Sequence, residues 1–170
     1  MTLIEEPNEL MSKLREEFKA CGIAFVITKK LTNAPINGAT RWVSPEKALI
    51  QMSIRWKWVD IFWFSLFHEL GHILIDNKKD FNVDLIKNKI DDHKEKEIDI
   101  FARDSLIPLE KYIQLEKKVS DLRNMAEIYN IVVLFAKEIG VHPGIVIGRL
   151  QHEKKVPLNM NRLRMRYDWI

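Results

Sequence analysis

Apolar residues recur at every fourth position in "PNELMSKLREEFKA" (residues 7–20), where Leu10, Leu14 and Phe18 share one face, and this spacing predicts an amphipathic helix opened by Pro7. "GIAFVIT" (22–28) follows a glycine and reads as a short β-strand, and "LTNAPINGAT" (31–40) carries loop chemistry. "TRWVS" and "ALIQMSI" (48–54) read as two strands joined through "PEK", a hairpin arrangement. Asp60 is a candidate N-cap for a helix over 61–76. The polar stretch after it reads as a loop, and "EKEIDIFARDSLIP" returns to helical spacing, stopped by Pro108. Its apolar face comprises Ile98, Phe101, Ala102, Ser105 and Leu106. Further helices are expected near 120–139, with Ser120 as N-cap, and at 143–153, with Pro143 in the first turn. One helix, a few strands and then several helices make an α+β chain. Its 170 residues suit a single domain: an N-terminal helix about 7–20, a core about 22–108 and a helical part about 109–170.

The most apolar run, "FWFSLFHELGHILID" (62–76), is interrupted by His68, Glu69 and His72. A charged carboxylate buried without a partner is costly, so a helix destined for the core needs a reason to carry one. Metal binding supplies the reason. Residues i and i+4 share a helix face, so both imidazoles can point at one ion, and Glu69 on the adjacent shoulder can serve as general base for a water there. Zinc accepts such nitrogens in a tetrahedral shell and leaves a position open. An H-E-x-x-H match arises by chance in about one per cent of chains this long or fewer. The competing explanation is a partly buried helix with hydrogen-bonded histidines.

A third ligand is required. The metzincin continuation needs Gly and His where this chain has Ile75 and Lys78, so that class is excluded. Glu95 and Glu97 are the leading candidates, with Asp92 and His93 outside them. With the apolar face centred near Ile98, Glu95 lies three and seven residues before Ile98 and Ala102, whereas Glu97 falls about 100° away, toward solvent. Glu95 is therefore the expected ligand. Asp99, four residues further on, is placed to accept the second ring N–H of a ligand histidine or else to be a solvated helix carboxylate.

Composition adds bounds. A net charge of +3 is too small to argue for nucleic acid, and 46% hydrophobic with 30% charged residues is ordinary for a globular chain. The single cysteine, Cys21, excludes an internal disulfide and is expected to be a small buried hydrophobe. No signal-type segment opens the chain, and the His-Glu-His interruption spoils the longest apolar run as a membrane span; a cytoplasmic protein is expected.

Joined together, "FWFSLFHELGHIL" and "EKEIDIFARDSLIP" resemble the ImmA/IrrE family of metallo-endopeptidases. That family pairs an H-E-L-G-H helix with a downstream E-x-x-A-[ND]-x-F-A helix, read here as Glu95, Ile98, Asp99, Phe101 and Ala102, with Ile98 replacing the usual alanine. The flanks "NGATRWVSPEKALIQMSIR" and "FAKEIGVHPGIVIGRLQHEKKVP" are similar to the branch found behind a helix-turn-helix domain in antitoxin-type regulators, and the likeness spans roughly residues 20 to 168. The resemblance implies a zincin-like fold and a gluzincin-type Zn²⁺ site with Glu95 as third ligand. It also implies cleavage of a helix-turn-helix repressor to control transcription. The alternative is an antitoxin-type module that binds a toxin or repressor with little turnover. Residues 1–20 are too short for a helix-turn-helix domain, so the chain is standalone or truncated and direct nucleic-acid binding by it is not expected.

Other features carry two readings each. Arg149, Lys154, Lys155, Arg162, Arg164 and Arg166 make either a surface for an acidic partner or nucleic acid, or a solvated tail. Arg149 and His152 stand either near the site as oxyanion stabilisers or in structural roles. Trp56, Trp58, Trp63 and Phe64 form either a substrate wall or core. Arg41 and Trp42 are candidates for the cleft edge, and a strand near 48–54 for peptide binding by strand addition.

Overall fold

A computed structural model describes residues 1–28, 37–53, 57–75 and 92–168. The elements run α1 (Pro7–Ala20), β1 (Ile23–Thr28), β2 (Gly38–Ser44), β3 (Lys47–Ser53), α2 (Val59–Ile75), α3 (Asp92–Leu106), α4 (Leu109–Val119), α5 (Met125–Ile139) and α6 (Pro143–His152). The fold is α+β, as the alternation of patterns predicts. Leu10 and Leu14 of α1 are buried, and Phe18 meets Phe25 of β1 edge-on, with ring centroids 5.3 Å apart. The predicted loop and the polar stretch before α3 lie largely outside the described residues, as does Trp56.

The sheet order is β1-β3-β2, with β1 parallel and β2 antiparallel to β3. The predicted hairpin is β2–β3. Residues 47–53 therefore form the central strand, hydrogen-bonded on both sides, and the strand expected to be open for peptide addition is not an edge. Its alternation is that of a one-sided strand: Ala48, Ile50 and Met52 are buried. Among the described residues the edges belong to β1 and β2.

Helix α2 is apolar nearly all round, the mark of a helix inside a domain. Val59, Phe62, Trp63 and Leu66 lie in the core cluster, which draws on residues from Leu10 to Tyr167. Helix α3 crosses α2 at Gly71, where a Cβ would stand 2.8 Å from Ile98 Cγ2. The glycine lets the two helices approach, and Ile98, fully buried, fills the space.

Two helix boundaries differ from the expectation. Asp60 lies in the first turn of α2 rather than ahead of it, because the helix starts at Val59. Ser120 ends α4 instead of starting the next helix; Asn124 caps α5, its side chain accepting from the Ala126 N–H. Cys21 is exposed, not buried, since it follows the end of α1 at the turn into β1.

The described C-terminal segment packs back onto the start of α2, although Lys154, Lys155, Arg162 and Arg166 are exposed. Val59 N–H donates to Met165 O, and Tyr167 N–H donates to Lys57 O. Tyr167 is fully buried; its hydroxyl accepts from Trp63 Nε1 (3.0 Å) and donates to Ile4 O (3.2 Å), tying both ends of the chain to α2. Arg164 pairs with Asp60, and Arg164 and Arg166 both lie over the Trp58 ring. Among the described residues no single helix is long and apolar enough to cross a membrane.

Candidate metal centre

The α2–α3 crossing brings the predicted residues together. His68 Nε2 and His72 Nε2 lie 3.2 Å apart, one helical turn along α2. Glu95, in the first turn of α3, puts Oε2 3.4 Å from His68 Nε2 and Oε1 3.9 Å from His72 Nε2. These three residues form a group that can hold a metal ion. The donor set fits zinc in type and in size: tetrahedral ligand atoms at about 2.0–2.1 Å from the ion lie about 3.3 Å apart. Glu97 is exposed, as the helical argument requires, and so are Asp92 and His93.

Asp99 accepts a hydrogen bond from His68 Nδ1 at 2.9 Å. With Nδ1 protonated, Nε2 carries the lone pair that faces His72 and Glu95, the tautomer a metal ligand needs. Asp99 is also more than half exposed, so its two sequence readings are both partly true.

Glu69 is only 7% exposed. Thr40 Oγ1, from β2, donates to its Oε2 at 2.7 Å and stands 3.1 Å from its main-chain oxygen. Gly38, two residues earlier, packs so closely that a Cβ there would lie 2.6 Å from Glu69 Oε1. Burial raises the Glu69 pKa above the usual carboxylate range; the Thr40 hydrogen bond and the two histidines oppose the rise, and the nearby Glu95 carboxylate adds to it. Thr40 and Gly38 had no signal in motif spacing, because their partnership with Glu69 is made by the fold across 29 and more residues.

A cavity of about 550 Å³ opens between α2, α3 and α6. Ile61, Phe64, Leu106, Ile107 and Ile145 give it an apolar lining, and Asp99 stands on its wall. The Phe64 ring centroid is 6.3 Å from that of His68, so the cavity begins one turn from the histidine pair. Arg149 and His152 also line it. Arg149 is committed elsewhere: its guanidinium donates to Arg103 O (3.2 Å) and Ile107 O (2.6 Å), meets Asp104 and Glu153, and lies 3.8 Å above the Tyr112 ring. It closes the C-terminal end of α3, where main-chain carbonyls need donors, and is therefore structural. Of the aromatic group, Phe64 lines the cavity whereas Trp63 is core. Trp42 is half-buried on β2, and Arg41 is exposed on the same strand.

An α+β fold with an H-E-x-x-H helix at its centre, completed by a carboxylate from the next helix, defines a metallopeptidase-type domain. Residues 61–150, more than half of the 170, match the Peptidase_M78 family, described as the IrrE N-terminal-like domain, and the chain belongs to this family. The matched span runs from the first turn of α2 through α6 and contains the whole candidate metal group. A comparison with curated proteins finds no match.

Proposed function

We propose that the chain is a zinc-dependent endopeptidase that acts on a regulatory protein, most consistently a helix-turn-helix repressor, and so controls transcription. The observation that carries this reading is the convergence of His68, His72 and Glu95 beside a buried carboxylate on the same helix. His68, His72 and Glu95 would hold the ion, with Asp99 orienting the His68 ring. Zinc held there would supply Lewis acidity, polarising a peptide carbonyl and making water acidic enough to attack near neutral pH. Glu69 takes the proton of the attacking water on its carboxylate and passes it to the leaving amide nitrogen. A raised pKa makes it the stronger base for that exchange.

Substrate placement follows from the sheet. The β2 edge stands next to Glu69 through Thr40, so an extended peptide added along β2 would run past the site, and the cavity beyond Phe64 would receive an apolar side chain. This assigns to β2 the role the sequence pattern had given to 48–54.

The test uses the Glu69→Gln protein, which keeps the ligands and the helix but lacks a base. Wild type and variant are incubated with zinc and a candidate helix-turn-helix repressor, chosen from among the products of neighbouring genes, and fragments are followed. Cleavage by wild type should fall about 100-fold or more in the variant, with zinc content unchanged. If wild type yields no fragments while both forms bind and regulate the partner, the chain is a binding module of the antitoxin kind and the peptidase reading falls.

A further inference from the structure

We propose that Thr40, with Gly38, is the positioning device for the general base: the edge strand β2 pins Glu69 by a hydrogen bond to one carboxylate oxygen and packs closely against the other. This rests on the peptidase reading and assigns a role to two residues outside the metal group.

The argument begins with burial. A carboxylate that is only 7% exposed needs a donor, and Thr40 provides one at 2.7 Å, a charge-assisted distance. Of the two carboxylate oxygens it is Oε2 that takes the bond, and the same hydroxyl stands 3.1 Å from the Glu69 main-chain oxygen. Oε1 sits against Gly38, where any side chain would collide with it, so the glycine keeps room around the second oxygen. The Thr40 bond to Oε2 and the Gly38 backbone against Oε1 together hold the carboxylate in one orientation. Threonine suits the task because its β-branch restricts the side-chain rotamer and favours a strand. Register reinforces it: Thr40 pairs with Ile50 and Gly38 with Met52 of the central strand, so the two residues that touch Glu69 are fixed to the core of the sheet. Ile50 and Met52 are themselves buried.

The consequence is a link between two functions of β2. The strand proposed to carry the substrate along its open edge also holds the base, and both are aligned by the same backbone.

Two measurements test this. The first is a double-mutant cycle on the metal-free protein, combining Thr40→Val with Glu69→Met, each close in shape to the original residue and unable to make the bond. Their effects on the unfolding equilibrium constant should be non-additive by about tenfold. Additive effects would overturn the proposal whatever the chain's activity. The second measures zinc content and cleavage of the same candidate helix-turn-helix repressor. Thr40→Val should lower kcat about 10- to 100-fold with KM and zinc content near wild type, and Thr40→Ser, which restores the hydroxyl, should recover most of the rate. A structural role would move stability but would not separate kcat from KM or respond to serine. If wild type cuts and Thr40→Val cuts equally fast, this proposal alone fails; if wild type does not cut, the peptidase reading fails and takes it along.

Discussion

Asp99 Oδ1 accepts a hydrogen bond from His68 Nδ1 at 2.9 Å, and the partnership joins residues 31 positions apart on two different helices. It fixes which ring nitrogen bears the proton and therefore which one faces His72 and Glu95. Replacing Asp99 with alanine should leave the fold intact, since the side chain is more than half exposed. Zinc affinity should fall about 10- to 100-fold, read by competition against a chelator of known strength. An affinity equal to wild type would make Asp99 an ordinary surface carboxylate.

The ligand assignment is tested by elemental analysis. One zinc per chain is expected for wild type, with strong loss in His68→Ala, His72→Ala and Glu95→Ala. Glu97→Ala should retain its metal, because Glu97 is exposed on α3 whereas Glu95 reaches both histidines. Retention in Glu95→Ala with loss in Glu97→Ala would reverse the assignment and with it the orientation of α3.

Helical periodicity alone separates those two glutamates, because burial on a helix follows a fixed angle per residue. The same logic gave α1, α2, α3 and α6. It misses α4, where Pro108 reads only as a stop; the residue follows one helix and immediately precedes the next. Ser120 and Asn124 are both competent caps, and only the register of the buried residues decides between them. Sheet order was not legible either. That β1 pairs in parallel with β3, placing 47–53 in the centre, is a long-range pairing with no local signature. For the same reason the metal group stood out in the sequence and the Thr40–Glu69 contact did not: the first is a motif, the second a product of packing. Of the basic C-terminal run, Lys154, Lys155, Arg162 and Arg166 are exposed, and composition does not reveal that Arg164 and Arg166 have partners far upstream.

The Asp60–Arg164 pair should matter for stability. Its side chains are 13% and 16% exposed, Arg164 Nη2 lies 2.8 Å from Asp60 Oδ2, and the guanidinium also lies over Trp58. Burial raises the Asp60 pKa even with Arg164 beside it, so the carboxylate depends on its partner to stay charged. Arg164→Met would leave it uncompensated and should cost about 2–3 kcal/mol, somewhat less than a fully buried pair, in urea unfolding. Adding Asp60→Asn should recover part of the loss. Independent, additive effects of the two substitutions would mean that the pair is not a unit.

His142 should make the fold sensitive to mild acid. Its ring Nδ1 accepts the Gly144 N–H at 3.0 Å and so caps α6, which carries Ile145, Val146, Ile147 and Leu150 into the core. Burial lowers its pKa below the ordinary histidine value, while the carboxylates of Glu5 and Asp60 pull in the opposite direction without winning. The sign follows from linkage. The unfolded chain binds the proton more readily than the native one, so the contribution of His142 is complete above about pH 6.5 and is lost as pH falls through the lower, folded-state pKa. Protonation of Nδ1 also removes the acceptor and hence the cap, an effect of about 0.5–2 kcal/mol. His142→Asn retains a capping oxygen but cannot titrate in this range. Thermal unfolding measured from pH 7.5 to pH 5 should therefore show a steeper decline for wild type than for His142→Asn, with the two curves diverging only below about pH 6.5. The other histidines are the same in both proteins, so the comparison isolates His142. Curves that stay parallel throughout would show that His142 is protonated no more readily in the unfolded chain than in the native one.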